Sequence, residues 1–372
     1  MALAFAALLF SSEKIRFPRI KLPLALFMTG TVISLVLSGH ARDGTPQIRK
    51  FFVLLMLLLV YSTFRKISEV RAIVLIWAGV ATLSAVRSLF QFLQKYQEAR
   101  ELGRNFYDYY VSERITGFMS HWMTFGAQEM IVLLLLASYL FFSRDRKWKP
   151  AGWIAAAILS VSLVLGLTRS IFLLGVPIGL LYLLWFWHRW MVVAVPVLAA
   201  LLILVSPAIV RERAFSIFQP HGETDSNQHR TITRRTGMEM IRAHPWFGLG
   251  PEQVKAQFND WVPADIPRPL PPGWYGHLHN IYLQYAAERG IPTALAIFWM
   301  IGKILYDFAG ALRRKLTDPE PWFVLHGAIA VILAILAEGF LEYNLGDSEV
   351  LTMFLTVAGF GYIAREAAHG AA

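Results

Sequence analysis

Apolar residues run along this chain in blocks long enough to cross a lipid bilayer, one after another, broken by short polar and basic connections. Crossing a hydrocarbon core of about 30 Å takes about 20 apolar residues at helical rise. Backbone groups in lipid must bond within their own segment, so such runs are helices, and the alternation expected of membrane-barrel strands is absent. The pattern predicts spans at about 22–40, 48–64, 70–94, 121–142, 151–168, 170–187, 190–210, 289–311, 322–341 and 348–365. The expected fold class is all-α: a polytopic transmembrane helical bundle of about 10–12 spanning helices, with one long loop containing short helices. Three segments follow from it: 1–210 with the N-terminal transmembrane helices, 211–288 as the loop, and 289–372 with the C-terminal transmembrane helices. Met1–Phe10 is apolar but too short to span. It reads as the stub of a helix, an interfacial segment or a signal-like stretch; the basic Ser11–Lys21 that follows offers no small-residue cleavage site.

Orientation comes from the connections. If the ten helices alternate, one side collects Lys14/Arg16/Arg19/Lys21, Arg65/Lys66/Arg71, Arg144/Arg146/Lys147/Lys149, Arg189 and Arg313/Arg314/Lys315. Excess Lys and Arg mark the cytoplasmic side, and the tail after Ile363 joins them there. The opposite face takes His40–Gln47, Gln97–Ser120, the Thr168–Arg169 corner, the long loop and the Tyr343–Asp347 turn. Arg49 and Lys50 fit this count poorly.

Composition agrees with the pattern. The chain is 56% hydrophobic and 16% charged, with a mean hydropathy of +0.48; soluble domains carry about 25% charged residues. The net charge of +10 sits mostly in short loops where topology requires it, so membrane lipids and not nucleic acid are the expected partners. Cysteine is absent, which excludes disulfides, thiol catalysis and cysteine-ligated metal.

The loop is unlike the rest of the chain. Loops beyond about 15 residues are usually functional or disordered, and disorder predicts few aromatics. This one carries Phe215, Phe218, Trp246, Phe247, Phe258, Trp261, Trp274 and Tyr275, so it is expected to fold over the membrane. Thr233–Ala243 and Pro251–Asp260 read as short helices, with a proline cluster at 263–272. Its face gathers Arg169, Arg211, Arg213, Arg230, Arg234, Arg235, Arg242 and Lys255, where the positive-inside rule disfavours cations. Guanidinium groups match phosphate oxygens, so a diphosphate is one explanation and anionic lipid headgroups or surface polysaccharide the other. Arg169, at a helix corner in "LVLGLTRSIFLLG", is expected to be paired or to line a polar cavity unless it snorkels.

In "HLHNIYLQYAAERGIP", His279 and Asn280 stand where a helix begins and its backbone N–H groups are free. A histidine can take a proton from a hydroxyl nucleophile, although a lone interfacial histidine is more often structural. His277 and His279 do not share a helix face, and no metal-binding spacing, nucleophile elbow or phosphate-binding glycine loop occurs. Asp225, Asp260 and Asp265 are scattered. Glu338, Glu342, Asp347 and Glu349 form an acidic group suited to pairing with the arginines, to a secondary base or to a proton path.

The order of "GLTRS", "R230…MIRAHPWFGLGP" and "HNIYLQYAAERGIP" resembles the O-antigen ligase/polymerase superfamily of bacterial envelopes. The matching positions are Arg169, Arg230, His244–Pro245, Gly248, Gly250, His279, Asn280, Leu283 and Gly290, and the resemblance runs from about Gly166 to the C-terminus. It departs at Arg234, where the family often has tryptophan, and the N-terminus looks one helix short. The resemblance implies an inverting, metal-independent glycosyltransferase without cofactors, in the bacterial inner membrane, with its site on the periplasmic face and its C-terminus cytoplasmic. The implied donor is an undecaprenyl-diphosphate-linked glycan. The implied acceptor is a sugar hydroxyl of lipid A–core oligosaccharide, with repeat-unit polymerases and protein Ser/Thr transferases as relatives. His279 is then the general base, Arg169, Arg211, Arg213 and Arg230 hold the diphosphate, and Asn280, Trp246, Trp274 and His277 contact the acceptor sugar. The tryptophans could equally anchor the loop at the interface.

Two readings from other classes compete. A flippase for lipid-linked glycans tends to place charge at the bilayer midplane in broken helices, whereas here it collects at one face. A scaffold protein gives a folded Arg/His-rich loop no purpose.

Overall fold

The structure is a computed structural model that describes residues 15–216, 218, 227–313 and 320–370. Met1–Phe10, Lys14, Asp225, Arg314 and Lys315 lie outside the described residues. Those described form helices, turns and irregular loops with no strand. Among the described residues, seven helices have the length and apolarity to cross a membrane: Ala41–Thr63, Ile67–Glu101, Trp122–Phe142, Ser170–Trp187, Ile291–Leu312, Glu320–Glu338 and Ser348–Ala368. Three shorter apolar helices, Lys21–Leu37, Lys149–Leu165 and Met191–Val205, fall where the remaining spans were expected. The chain is a multi-pass membrane protein built as a polytopic helical bundle.

It divides into two compact units, each discontinuous in sequence. The first comprises Met1–Phe64, Ser226–Asp307 and Gly339–Tyr362. The second comprises Arg65–Asp225, Phe308–Glu338 and Ile363–Ala372.

In the first unit the loop is folded, as its aromatics required. Asn227–Ala243 is a helix, six residues longer at its start than the apolar pattern indicated, and Gln253–Gln257 runs into a 3₁₀ turn at Phe258–Asp260. Ile232, Met240, Leu249, Val254, Phe258, Ile266, Leu278 and Ala287 pack into one buried cluster beneath it. The expected connection at His40–Gln47 is instead helical over Ala41–Arg49, and Lys50, awkward for the orientation count, donates to the Gly346 carbonyl at 2.6 Å.

The helix expected at 289–311 starts earlier, at Ile281, and is broken at Gly290 (φ 79°, ψ 160°). Pro292 explains the break. It has no N–H to give the Glu288 carbonyl, and its ring crowds that turn. The Glu288 carbonyl accepts instead from Gly250 N–H at 2.9 Å and from the Ser34 hydroxyl at 2.8 Å. Leu249 N–H reaches the Ala287 carbonyl, and Ile291 N–H turns to the Pro245 carbonyl, both at 2.8 Å. Gly248 and Gly290 permit this approach. A Cβ on Gly290 would stand 2.1 Å from the Trp246 oxygen, and one on Gly248 2.5 Å from Arg289 N, both at positive φ. So "HPWFGLGP" is the clasp for the kink that "ERGIP" creates.

In the second unit, Trp122–Phe142 and Glu320–Glu338 are apolar and buried along most of their length, the mark of central helices. Gly175 and Gly179 lie against the Ala334 and Ala330 carbonyls, where a Cβ would come within 3.5 and 3.2 Å; small residues bring membrane helices this close. Ile67–Glu101 has 35 residues, about 52 Å at 1.5 Å per residue, and so outreaches a core of about 30 Å.

Candidate active site

Three local features fix the position of His279. Its predecessor Leu278 is buried in the loop core, packs over Gly237, and gives its N–H to Gln284 Oε1 at 2.8 Å. Its successor Asn280 caps the following helix: Oδ1 accepts from Leu283 N–H at 2.9 Å, and Nδ2 donates to the Phe340 carbonyl at 2.9 Å. Between these anchors His279 adopts φ 48°, a left-handed conformation that costs a non-glycine residue roughly 1–3 kcal/mol and persists only where its surroundings impose it. Its own N–H donates to His277 Nδ1 at 3.1 Å. The helix start is therefore not open as the sequence suggested. Asn280 occupies the Leu283 N–H, and Ile281 N–H donates to the Gly339 carbonyl.

The side chain of His279 is 11% exposed and meets Glu342, with Nδ1 3.1 Å from Oε2. The other carboxylate oxygen accepts from Arg230 Nη2 at 2.5 Å. Glu342 is 3% exposed. Burial pushes its pKa up, but His279, Arg230 and His277 outweigh that and hold it at about 2. A carboxylate accepts only, so the Nδ1 of His279 carries the hydrogen and Nε2 is left as the basic nitrogen. Nε2 faces the Trp274 carbonyl at 3.4 Å, a contact that becomes a hydrogen bond once Nε2 is protonated. The buried Nε of Arg230 has no hydrogen-bond partner among the described residues.

Two more histidines border the pair. The His277 ring lies 4.0 Å from the His279 ring and 4.6 Å from Trp274. His229 is buried 5.0 Å from the His279 ring, with Nε2 3.0 Å from the Trp274 carbonyl. Burial, then the charges of His279 and Arg230, lower its pKa to about 4, so it is neutral near pH 7. The Trp274 side chain is 57% exposed beside this group, whereas Trp246, 69% exposed, belongs to the kink clasp.

The other expected arginines lie in the second unit. Lys149–Leu165 ends in a turn through Leu167 (φ 49°), and Arg169 follows at the start of the π-helix Ser170–Gly175. Arg169 is buried and donates to the Ser216 hydroxyl at 2.9 Å. Arg213, also buried, donates from Nε to the Leu167 carbonyl at 3.2 Å and lies 3.4 Å from the Tyr107 hydroxyl. It holds the corner that presents Arg169. Arg211 is exposed, its Nη1 3.3 Å from the Leu204 carbonyl.

A histidine with a buried carboxylate behind it is an arrangement that many transferases could use. The comparison with protein families decides among them: residues 154–298 match the family model described as O-antigen ligase. That segment is similar to the O-antigen ligase family. No curated protein matches the chain.

The O-antigen ligase match spans Arg169, Arg211, Arg213, Arg230, Trp246, Trp274, His277, His279 and Asn280, and ends before Glu342. Glu342 was legible in sequence only as one of four acidic residues suited to pairing. Asp347, another of them, caps a helix, its Oδ1 accepting from Glu349 and Val350 N–H. His229 had no sequence signal beyond its place next to Arg230.

Proposed function

We propose that this O-antigen ligase-family enzyme transfers a glycan from undecaprenyl diphosphate to a sugar hydroxyl of lipid A–core oligosaccharide, on the periplasmic face of the inner membrane. The observation that carries this reading is the single buried carboxylate of Glu342, which orients His279 with one oxygen and holds Arg230 with the other.

The step is a displacement with inversion. The acceptor oxygen attacks the anomeric carbon, its proton passes to His279 Nε2, and the bond from that carbon to the diphosphate oxygen breaks. The electron pair leaves with undecaprenyl diphosphate. Glu342 stabilises the imidazolium, and the Trp274 carbonyl accepts the new Nε2–H. The unpartnered Nε of Arg230 gives the leaving diphosphate a donor; the family resemblance, taken on its own, assigns diphosphate binding to Arg169, Arg211 and Arg213 as well. His277 and Trp274 flank the base where an acceptor sugar would lie, and Asn280 holds the helix start beneath it.

The test reconstitutes purified protein with lipid-linked glycan and lipid A–core, with EDTA present. Wild type is expected to transfer and His279→Ala to be inactive while folded. Transfer that survives His279→Ala removes the base assignment. Extension of a second lipid-linked repeat in place of lipid A–core marks a polymerase, and glycan movement across the bilayer without transfer marks a flippase.

A further inference from the structure

An open cavity of about 530 Å³ lies in the first unit, against the Asn227–Ala243 helix. That volume falls within the roughly 300–1,000 Å³ of small-molecule sites. Its wall is cationic. Arg234, Met238 and Arg242 recur every four residues and so share one helix face, with Arg235 beside them. Arg235 is paired to Asp265 through both carboxylate oxygens at 2.8 Å, and Arg242 to Glu239 at 2.7 Å. Arg234 is exposed and has no carboxylate partner among the described residues.

The floor is aromatic. Tyr282 stacks on Phe298 at 4.8 Å and lies tilted by 34° against Phe340 at 4.5 Å, and Phe340 is 61% exposed. Asn280, the residue after His279, closes one end and bonds to the Phe340 carbonyl. An exposed aromatic ring beside a guanidinium with no carboxylate partner among the described residues suits a sugar ring that carries a carboxylate or phosphate: the sugar's C–H face lies on Phe340, and the anion meets the fork of Arg234.

We propose that this groove is a specificity subsite for an acidic sugar of the acceptor glycan, read by Arg234 on the Phe340–Tyr282 floor. The assignment to the acceptor rests on the reading of His279 as the acceptor's base, because the groove ends at its neighbour Asn280. Binding of the acidic sugar does not depend on that reading and is measured without transfer.

The protein is placed in phosphatidylcholine nanodiscs and titrated calorimetrically with a glucuronate-containing tetrasaccharide and with a neutral tetrasaccharide of matched length. Wild type is expected to bind the acidic probe about tenfold more tightly, the scale of one exposed charge-assisted contact. Arg234→Gln removes that preference, and Phe340→Ala weakens both probes. Equal binding of the two probes overturns the proposal, as does a preference that survives Arg234→Gln. Arg234-dependent recruitment of phosphatidylglycerol in mixed-lipid nanodiscs, with no binding of the acidic sugar, also overturns it and assigns the groove to lipid headgroups. If transfer survives His279→Ala while the acidic preference persists, the base assignment fails and the groove stands. The reverse result leaves the base and removes the groove.

Discussion

Replacing Glu342 by glutamine tests the site most directly, since it keeps the shape and removes the charge that two side chains share. The wild-type carboxylate accepts from His279 at 3.1 Å and from Arg230 at 2.5 Å while only 3% exposed. Each such charge-assisted bond contributes roughly 1.5–3 kcal/mol. Losing the His279 bond when the imidazole becomes charged raises the barrier by that amount, about a 10- to 100-fold fall in kcat. Breaking a buried ion pair by removing one partner costs about 3–5 kcal/mol. The Arg230 side chain is 21% exposed, which reduces that penalty to about 1–2 kcal/mol by solvent screening. The variant should fold with a lowered melting temperature. The assay is steady-state transfer from lipid-linked glycan to lipid A–core, run for Glu342→Gln, Arg230→Gln and the double variant. The shared carboxylate predicts that the double variant loses less than the sum of the two single losses. Additive losses, or a Glu342→Gln enzyme with wild-type kcat, refute the shared-carboxylate reasoning.

Three further outcomes are expected. Gly290→Ala places a Cβ against the Trp246 carbonyl at positive φ, so it should destabilise the protein by several kcal/mol, at or above about 2, read as a collapse in monodisperse yield by size-exclusion chromatography. Arg169→Lys cannot reproduce the guanidinium fork that reaches Ser216, and should reduce transfer about tenfold or more with the far-UV dichroism unchanged. His229 supplies a pH dependence. Its folded pKa of about 4 lies below the unfolded value near 6.5, so the unfolded chain binds the proton first as pH falls. Stability is then full above pH 6.5 and declines toward pH 4 by up to about 3 kcal/mol. Melting curves in detergent across that range check this, and His229→Gln should flatten the decline.

The helical fold was legible because its cause is local. An apolar run of sufficient length has one solution in lipid, and the ten blocks read from the pattern correspond to seven full-length and three shorter apolar helices. What the pattern misplaced was polar helix. Ala41–Arg49 and the first turns of Asn227–Ala243 are too polar for an apolar run to mark them, and their helicity follows from packing and continuity. The break at Gly290 was likewise beyond a linear reading. Pro292 marks a possible kink, but the groups that satisfy the displaced Glu288 carbonyl come from Ser34 and Gly250, distant in sequence.

The candidate site divides along the same line. His279 and Arg230 stood out because their residue types carry chemistry and their order matched a family pattern. Glu342 did not, because its role depends on a contact 63 residues away. Nothing around "FLEYNLGDSEV" distinguishes it from its acidic neighbours until the fold puts its two oxygens on two different partners. That arrangement also gives the carboxylate its meaning. An acid serving only as counterion to Arg230 needs no histidine, and one serving only to orient His279 needs no arginine. Binding both, Glu342 links the group that would deprotonate the acceptor to one that would bind the leaving diphosphate, which is why the double-variant cycle, more than any single substitution, reads the site as a unit.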